Sequence, residues 1–85
     1  MVNIRRINQV ERLLFLPCPV TDEILAALDE IEGVVVSPFY PRAGRYEICY
    51  SIHPDYFVPL VDENVIFLIS LYLNQHREVI GRNLF

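Results

Sequence analysis

The chain has few residues of the types that carry out chemistry, and the first of them is Cys18. It follows a strand-like segment over 10–16 and precedes a helix-like segment that begins at Thr21. A thiol at the N-terminus of a helix can have a lowered pKa, because the helix dipole stabilises the thiolate. Cys18 is therefore the candidate nucleophile of a thiol-redox protein. The competing interpretation, which we favour, is a small apolar residue in a proline-rich loop.

The order strand, Cys18-Pro19, helix resembles the active-site corner of glutaredoxin-like proteins. The resemblance implies a reactive thiol at Cys18. The chain departs from that pattern in two ways: no second cysteine follows two or three residues later, and a hairpin follows the first helix directly, where that fold has its second helix. We therefore expect a protein that is not an enzyme.

Glu47, Cys49 and His53 lie on one face of a later strand-like segment, because they are separated by even numbers of residues. Alternate residues are about 6.5 to 7 Å apart along a strand, and Cys49 and His53 are separated by twice that distance. The spacing is too long for one metal ion without ligands from elsewhere, and the sequence has no close pair of cysteines with a pair of histidines. The sequence predicts no metal site and no other cofactor.

Two arginines could bind an anion. Arg42 and Arg45 lie in the segment 41–45, where a proline followed by a glycine predicts a turn. Guanidinium groups beside such a turn could hold a phosphate or a carboxylate. Together with the loop over 54–59, they would form the anion site of a ligand-sensing regulatory module. The alternative is that these arginines keep a surface hairpin soluble.

The composition limits the class of protein. Eighty-five residues predict one small domain over 1–85, and 53% of them are hydrophobic. A chain of this size cannot easily bury so much apolar surface alone, which predicts self-association or a partner protein. The net charge is −4, with seven arginines and no lysine. This charge argues against direct binding to nucleic acid, whose phosphates attract clustered positive charge.

The sequence also bears on location. Its longest unbroken apolar run is the five residues 65–69, whereas a transmembrane helix needs about 20, so we expect no membrane contact. Arg5 and Arg6 are not followed by the apolar segment of a signal peptide. Two cysteines are too few for a disulfide scaffold. We expect a cytoplasmic protein.

A first helix is predicted between Thr21, as its N-cap, and Gly33, as its stop. The side opposite its apolar residues is acidic and carries Asp22, Glu23, Asp29, Glu30 and Glu32. Such an acidic face could occupy a basic groove on another protein and steer the two together. The alternative is an ordinary solvated helix face.

The chain is organised around a second predicted helix over 62–80, with Asp62 as its cap and Gly81 as its stop. Its apolar stripe follows a 3.6-residue period and consists of Val65, Ile66, Ile69, Tyr72, Leu73, Val79 and Ile80. The β-forming residues of 65–73 leave a buried strand as the alternative. The stripe continues through good helix formers to residue 80, which favours the helix.

This second helix has another apolar side. Phe67 and Leu71 lie four residues apart, opposite the main stripe. With Tyr56 and Phe57 in the preceding loop, they form either a second layer of core or a protein interface. Aromatic and aliphatic residues of this kind supply most of the binding energy in interfaces. We favour the interface.

The predicted order is β-α-β-β-α, with strands over 10–16, 34–40 and 45–53 and an arm over 1–8. A right-handed crossover between the first two strands leaves a gap that the third strand fills. The predicted fold is α+β: a ferredoxin-like, three-stranded antiparallel sheet in the order 1-3-2, with both helices on one face. A fourth strand over 82–85 is the alternative.

These features predict a non-enzymatic, small acidic domain that acts through protein–protein contacts and forms a homodimer, either through the long helix or through a sheet edge. An inhibitor, antitoxin or accessory role of the kind that small phage or prophage proteins play suits its size and acidity. The alternatives are the ligand-sensing module and the thiol-redox protein that uses Cys18.

Overall fold

Four strands and two helices make up the fold, which is described by a computed structural model for residues 2–37 and 45–76. In chain order they are β1 (Asn3–Arg6), β2 (Glu11–Phe15), α1 (Asp22–Asp29), β3 (Val34–Val36), β4 (Glu47–Ile52) and α2 (Val58–Gln75). The strands form one antiparallel sheet in the order β1-β2-β4-β3. The fold is therefore of the α+β class.

The prediction of a three-stranded ferredoxin-like sheet in the order 1-3-2 is wrong, because residues expected to be an arm over 1–8 form a fourth strand. β1 pairs with β2 along all four of its residues. In the turn between these strands, the side-chain oxygen of Asn8 accepts hydrogen bonds from the N–H groups of Val10 at 3.0 Å and Glu11 at 2.8 Å. Asparagine turns of this kind reverse the chain locally, which brings β1 against β2.

The core lies on one face of the sheet, under both helices. Its buried apolar residues in the strands and helices are Leu14, Ile24, Leu28, Val34, Ile48, Tyr50, Ile52, Val61, Val65, Ile69 and Leu73. Residues on the other face of the sheet, such as Leu13 and Cys49, are half-buried. This is the alternation of an antiparallel sheet that is covered on one side. The alternation over 45–53 places Tyr46, Ile48, Tyr50 and Ile52 on one side of the third predicted strand. Ile48, Tyr50 and Ile52 are buried, whereas Tyr46, which precedes β4, is 54% exposed.

The turn after α1 requires glycine. Thr21 caps α1 as predicted, since its hydroxyl accepts a hydrogen bond from the N–H of Ile24 at 3.2 Å. Gly33 has a φ of +86°, in the left-handed region that glycine adopts most easily. A Cβ at this position would lie 2.9 Å from Cγ of Tyr56. The tight approach holds the loop before α2 against the start of β3.

α2 begins earlier than predicted, and Asp62 is not its cap. The helix starts at Val58, with Pro59 in its first turn. Backbone N–H groups in the first turn of a helix have no acceptor within the helix, so a proline there loses no hydrogen bond. Asp62 lies one turn further on, inside the helix.

In the part of the chain that the structure describes, no helix is both long and apolar enough to cross a membrane.

The described strands are shorter than predicted: 11–15, 34–36 and 47–52. Several predictions lie outside the described residues. They are the end of the second strand at 38–40, the turn over 41–44, the end of the long helix at Gly81, and the alternative strand over 82–85.

Candidate functional site

α2 is apolar on two sides, and the described part of the chain covers only one of them. The inner side is buried in the core and consists of Val61, Val65, Ile69 and Leu73. On the outer side, Leu60 is 54% exposed, Phe67 is 66% exposed and Leu71 is 42% exposed. Isolated exposed apolar residues are ordinary, whereas several of them on one side of a helix are typical of a binding surface.

A shallow groove of about 640 Å³ runs along this outer side. It is lined by Glu63, Ile66, Phe67, Ser70, Leu71 and Asn74. These residues form two ridges at four-residue spacing, which is the ordinary corrugation of a helix surface. The exposed ring of Phe67 stands beside the small side chain of Ser70. Of the six lining residues, only Glu63 is charged.

Three of the four predicted interface residues lie together on this side of α2. Phe57, immediately before the helix, is 72% exposed. It lies three residues before Leu60, which is seven residues before Phe67, so all three lie on the same side of the helix. Tyr56 is 41% exposed, but its ring lies against Gly33 instead. We define the α2 outer face as Phe57, Leu60, Glu63, Ile66, Phe67, Ser70, Leu71 and Asn74.

The acidic residues of the first helix region are on the surface. Asp22, Glu23, Asp29, Glu30 and Glu32 are all exposed. Two of them lie in the first turn of α1, where the helix dipole favours negative charge. Their exposure suits both a solvated face and a docking surface, so the docking role stays a prediction.

The structure separates Arg45 from the loop over 54–59, which were expected to form an anion site with Arg42. Arg45 is exposed just before β4, and its carbonyl oxygen accepts a hydrogen bond from the N–H of Val20 at 2.7 Å. The residues 54–57 follow the same strand. Because the six residues of β4 span about 20 Å, Arg45 and this loop lie at opposite ends of it. Arg42 lies outside the described residues.

Cys49 and His53 do not form a metal site with their neighbours. Glu47 and Cys49 are half-buried on the open face of the sheet, and Nδ1 of His53 lies 3.6 Å from the carboxylate of Asp55. Among residues 2–37 and 45–76, no group of three or more histidine, cysteine, aspartate or glutamate side chains is arranged to hold a metal ion.

Cys18 is buried, with 3% of its surface exposed. It lines a cavity of about 460 Å³ between the start of α1 and the end of α2, together with Thr21, Tyr72 and His76. Burial raises the pKa of the Cys18 thiol. A redox-active cysteine needs the opposite shift, because the thiolate is the nucleophile. Burial and the nearby Glu11 also raise the pKa of Cys49.

Both thiols are expected to react slowly with iodoacetamide at neutral pH. Their rates should still be rising above the free thiol pKa of about 8.5, since a raised pKa lowers the thiolate fraction below that value. Cys18 should react more slowly than Cys49, because it is the more buried of the two. Mass spectrometry of peptides after timed alkylation measures each rate against pH. A Cys18 rate that levels off below neutral pH would contradict this and revive the thiol-redox interpretation.

A buried ion pair that no sequence pattern predicted joins β2 to α2. Arg12 is 1% exposed, and its Nε and Nη2 atoms donate to the two carboxylate oxygens of Asp62 at 3.1 and 3.2 Å. Its Nη1 donates to the carbonyl oxygens of Asn8 at 2.7 Å and Glu11 at 3.1 Å. The hydroxyl of Tyr50 donates to Asp62 at 3.4 Å, and burial followed by the Asp62 charge raises the pKa of Tyr50. This network fixes the first turns of α2 on the sheet.

Comparisons of the chain with known protein families, with curated proteins and with solved structures found no match. Among the described residues, the α2 outer face is the surface where exposed aromatic and aliphatic side chains are most concentrated.

Proposed function

We propose that this protein is a non-enzymatic protein-binding domain of the inhibitor, antitoxin or accessory type, and that it works as a cytoplasmic homodimer. The α2 outer face is the observation that supports this most strongly. It exposes Phe57 and Phe67, which are 72% and 66% accessible. Contact with another protein surface removes such side chains from water, and this is the main favourable term in association.

The exposed carboxylates of α1 support the inhibitor or antitoxin part of the proposal. They give the chain a negative surface that attracts a basic partner and raises the rate of encounter. They lie on a different helix from the α2 outer face. A dimer formed through α2 therefore keeps its acidic surfaces available for a second partner.

Hydroxyl-radical footprinting tests whether the α2 outer face is covered in solution. We expect Phe67 to be oxidised more slowly at high than at low protein concentration, because association shields it. Tyr46, which is 54% exposed just before β4, is the matched control, and its rate should not depend on concentration. Division by the rates in the unfolded chain corrects for the different reactivities of phenylalanine and tyrosine. A Phe67 rate that stays at its exposed value at every concentration would contradict the proposal.

A further inference from the structure

We infer that the α2 outer face is occupied by a second copy of this chain, with the two α2 helices antiparallel and Phe67 of each protomer seated beside Ser70 of the other. This inference rests on the proposed function, and it specifies the partner and its orientation on that surface. The shape of the groove and its charges support it, and its area indicates the strength of the contact.

The groove is complementary to itself. Its lining runs from Glu63 to Asn74, and the midpoint falls between Phe67 and Ser70. A two-fold axis through that midpoint places the Phe67 ring of each protomer against Ser70 of the other protomer. An isologous interface must match its own surface in this way. A parallel, in-register pair would instead place ring against ring and leave the space beside Ser70 unfilled.

The charges favour the same direction. No residue from Asn64 to Gln75 is charged, so the contact removes no charged side chain from water along this length. The two-fold axis places Glu63 opposite the partner's Asn74, whose amide can donate a hydrogen bond to the carboxylate. It also keeps the two Glu63 residues about 16 Å apart along the helices. A parallel pair would bring both carboxylates to the same end, and antiparallel helix dipoles are also the favourable arrangement.

The available area fits a reversible dimer. The two-fold axis places residue 62 of one protomer opposite residue 75 of the other, so only the part of α2 over 62–75 overlaps with its partner. This overlap is about 21 Å long and about 12 Å across, so its outer half offers about 400 Å². The total of about 800 Å² for the two protomers is smaller than a standard interface and is typical of a weak, transient contact. We therefore expect a dissociation constant in the micromolar range.

Exchanging the ring and the small residue tests the pairing. Phe67→Ser removes the ring, and Ser70→Phe fills the space beside it. Each variant alone should weaken the dimer by about 30-fold, as loss of a central aromatic anchor does. In the double variant the ring is at position 70 and the small residue is at position 67. These two positions still face each other across the two-fold axis. Its dissociation constant, measured by sedimentation equilibrium, should lie within about threefold of the unmodified chain, because the two effects are coupled.

A double variant that dimerises no better than the single variants would overturn the antiparallel pairing. The unmodified chain gives a second measurement that does not depend on folding of the variants. In a mixed dimer of isotope-labelled and unlabelled protein, NMR should show contacts from the Phe67 ring to the partner's Ser70. Intermolecular contacts from Phe67 to Phe67 alone would overturn the inference. A chain that is monomeric at every concentration would instead overturn the proposed function, so the two failures are distinguishable.

Discussion

Replacement of Asp62 by alanine is expected to lower the free energy of unfolding by about 3 kcal/mol. Removal of one partner from a buried ion pair costs about 3 to 5 kcal/mol, because the other charge is left without compensation. Arg12 is 1% exposed, whereas Asp62 is 28% exposed. Because solvent partly screens the pair at Asp62, we expect a loss of stability at the lower end of this range. The total stability of a chain this long is about 4 to 13 kcal/mol. The variant should therefore unfold at a much lower denaturant concentration than the unmodified chain.

The measurement is chemical unfolding at one fixed protein concentration, because dissociation of a dimer is linked to unfolding. Asp55→Ala is the matched control, since Asp55 is 84% exposed and lies 3.6 Å from His53. Asp55→Ala should lower the free energy of unfolding by less than about 0.5 kcal/mol. The pair Arg12→Met with Asp62→Leu removes both charges and should recover part of the loss, because the Tyr50 hydroxyl and two carbonyl oxygens still lose their partners. A loss below about 1 kcal/mol for Asp62→Ala would show that the ion pair does not hold α2 on the sheet.

Phe67→Asp combined with Leu71→Asp is expected to abolish self-association. The dissociation constant should rise by at least about 100-fold, because two anchors are lost and two carboxylates would enter the interface without partners. Both side chains are exposed in the protomer, so the core is left as it is. Light scattering after size-exclusion chromatography gives the mass at each concentration.

Ile7→Asp is the control for this variant. Ile7 is 53% exposed in the turn between β1 and β2, and the substitution makes the same change from apolar to acidic away from α2. It should leave the dimer mass unchanged. Circular dichroism should show equal helix content in both variants. A Phe67 and Leu71 variant that is still dimeric at micromolar concentration would contradict the α2 interface.

Periodicity predicted the elements whose burial is regular. The alternation over 45–53 gave the inward side of β4, and the 3.6-residue stripe gave the helix that supplies Val65, Ile69 and Leu73 to the core. β1 could not be found in the same way. Ile4 is the only apolar residue among its four, so the segment has no strand pattern of its own. It is a strand because the turn at Asn8 presents it to the free edge of β2.

Asp62 was misread for a different reason. An aspartate just before an apolar run has the sequence signature of an N-cap, whereas α2 starts at Val58 without a side-chain cap. Its true role depends on Arg12, which lies 50 residues earlier. Alternation does place Arg12 on the same side of the strand as Leu14, and a guanidinium on a core face requires an acceptor. The local sequence pattern cannot show which carboxylate accepts the hydrogen bonds of this guanidinium.

The candidate surface was predictable in part. The four-residue spacing of Phe67 and Leu71 predicted a second apolar side of the helix, and both are exposed in the structure. Ile66 was wrongly assigned to the main stripe, since it is 43% exposed and lines the same groove. The groove beside Ser70 was not predicted, because its shape depends on how the side chains of the two neighbouring ridges are oriented on the folded helix. The anion site combined Arg45 with the loop over 54–59, and β4 separates the two.

Sedimentation equilibrium of the unmodified chain, beside the Phe67→Asp, Leu71→Asp variant, tests the α2 interface most directly. The average mass of the unmodified chain should rise with concentration through the micromolar range, from 9.9 kDa towards twice that value. The variant should remain at 9.9 kDa throughout. A monomer mass for the unmodified chain at every concentration, or a rise in mass that the variant shares, would contradict a homodimer formed through the α2 outer face.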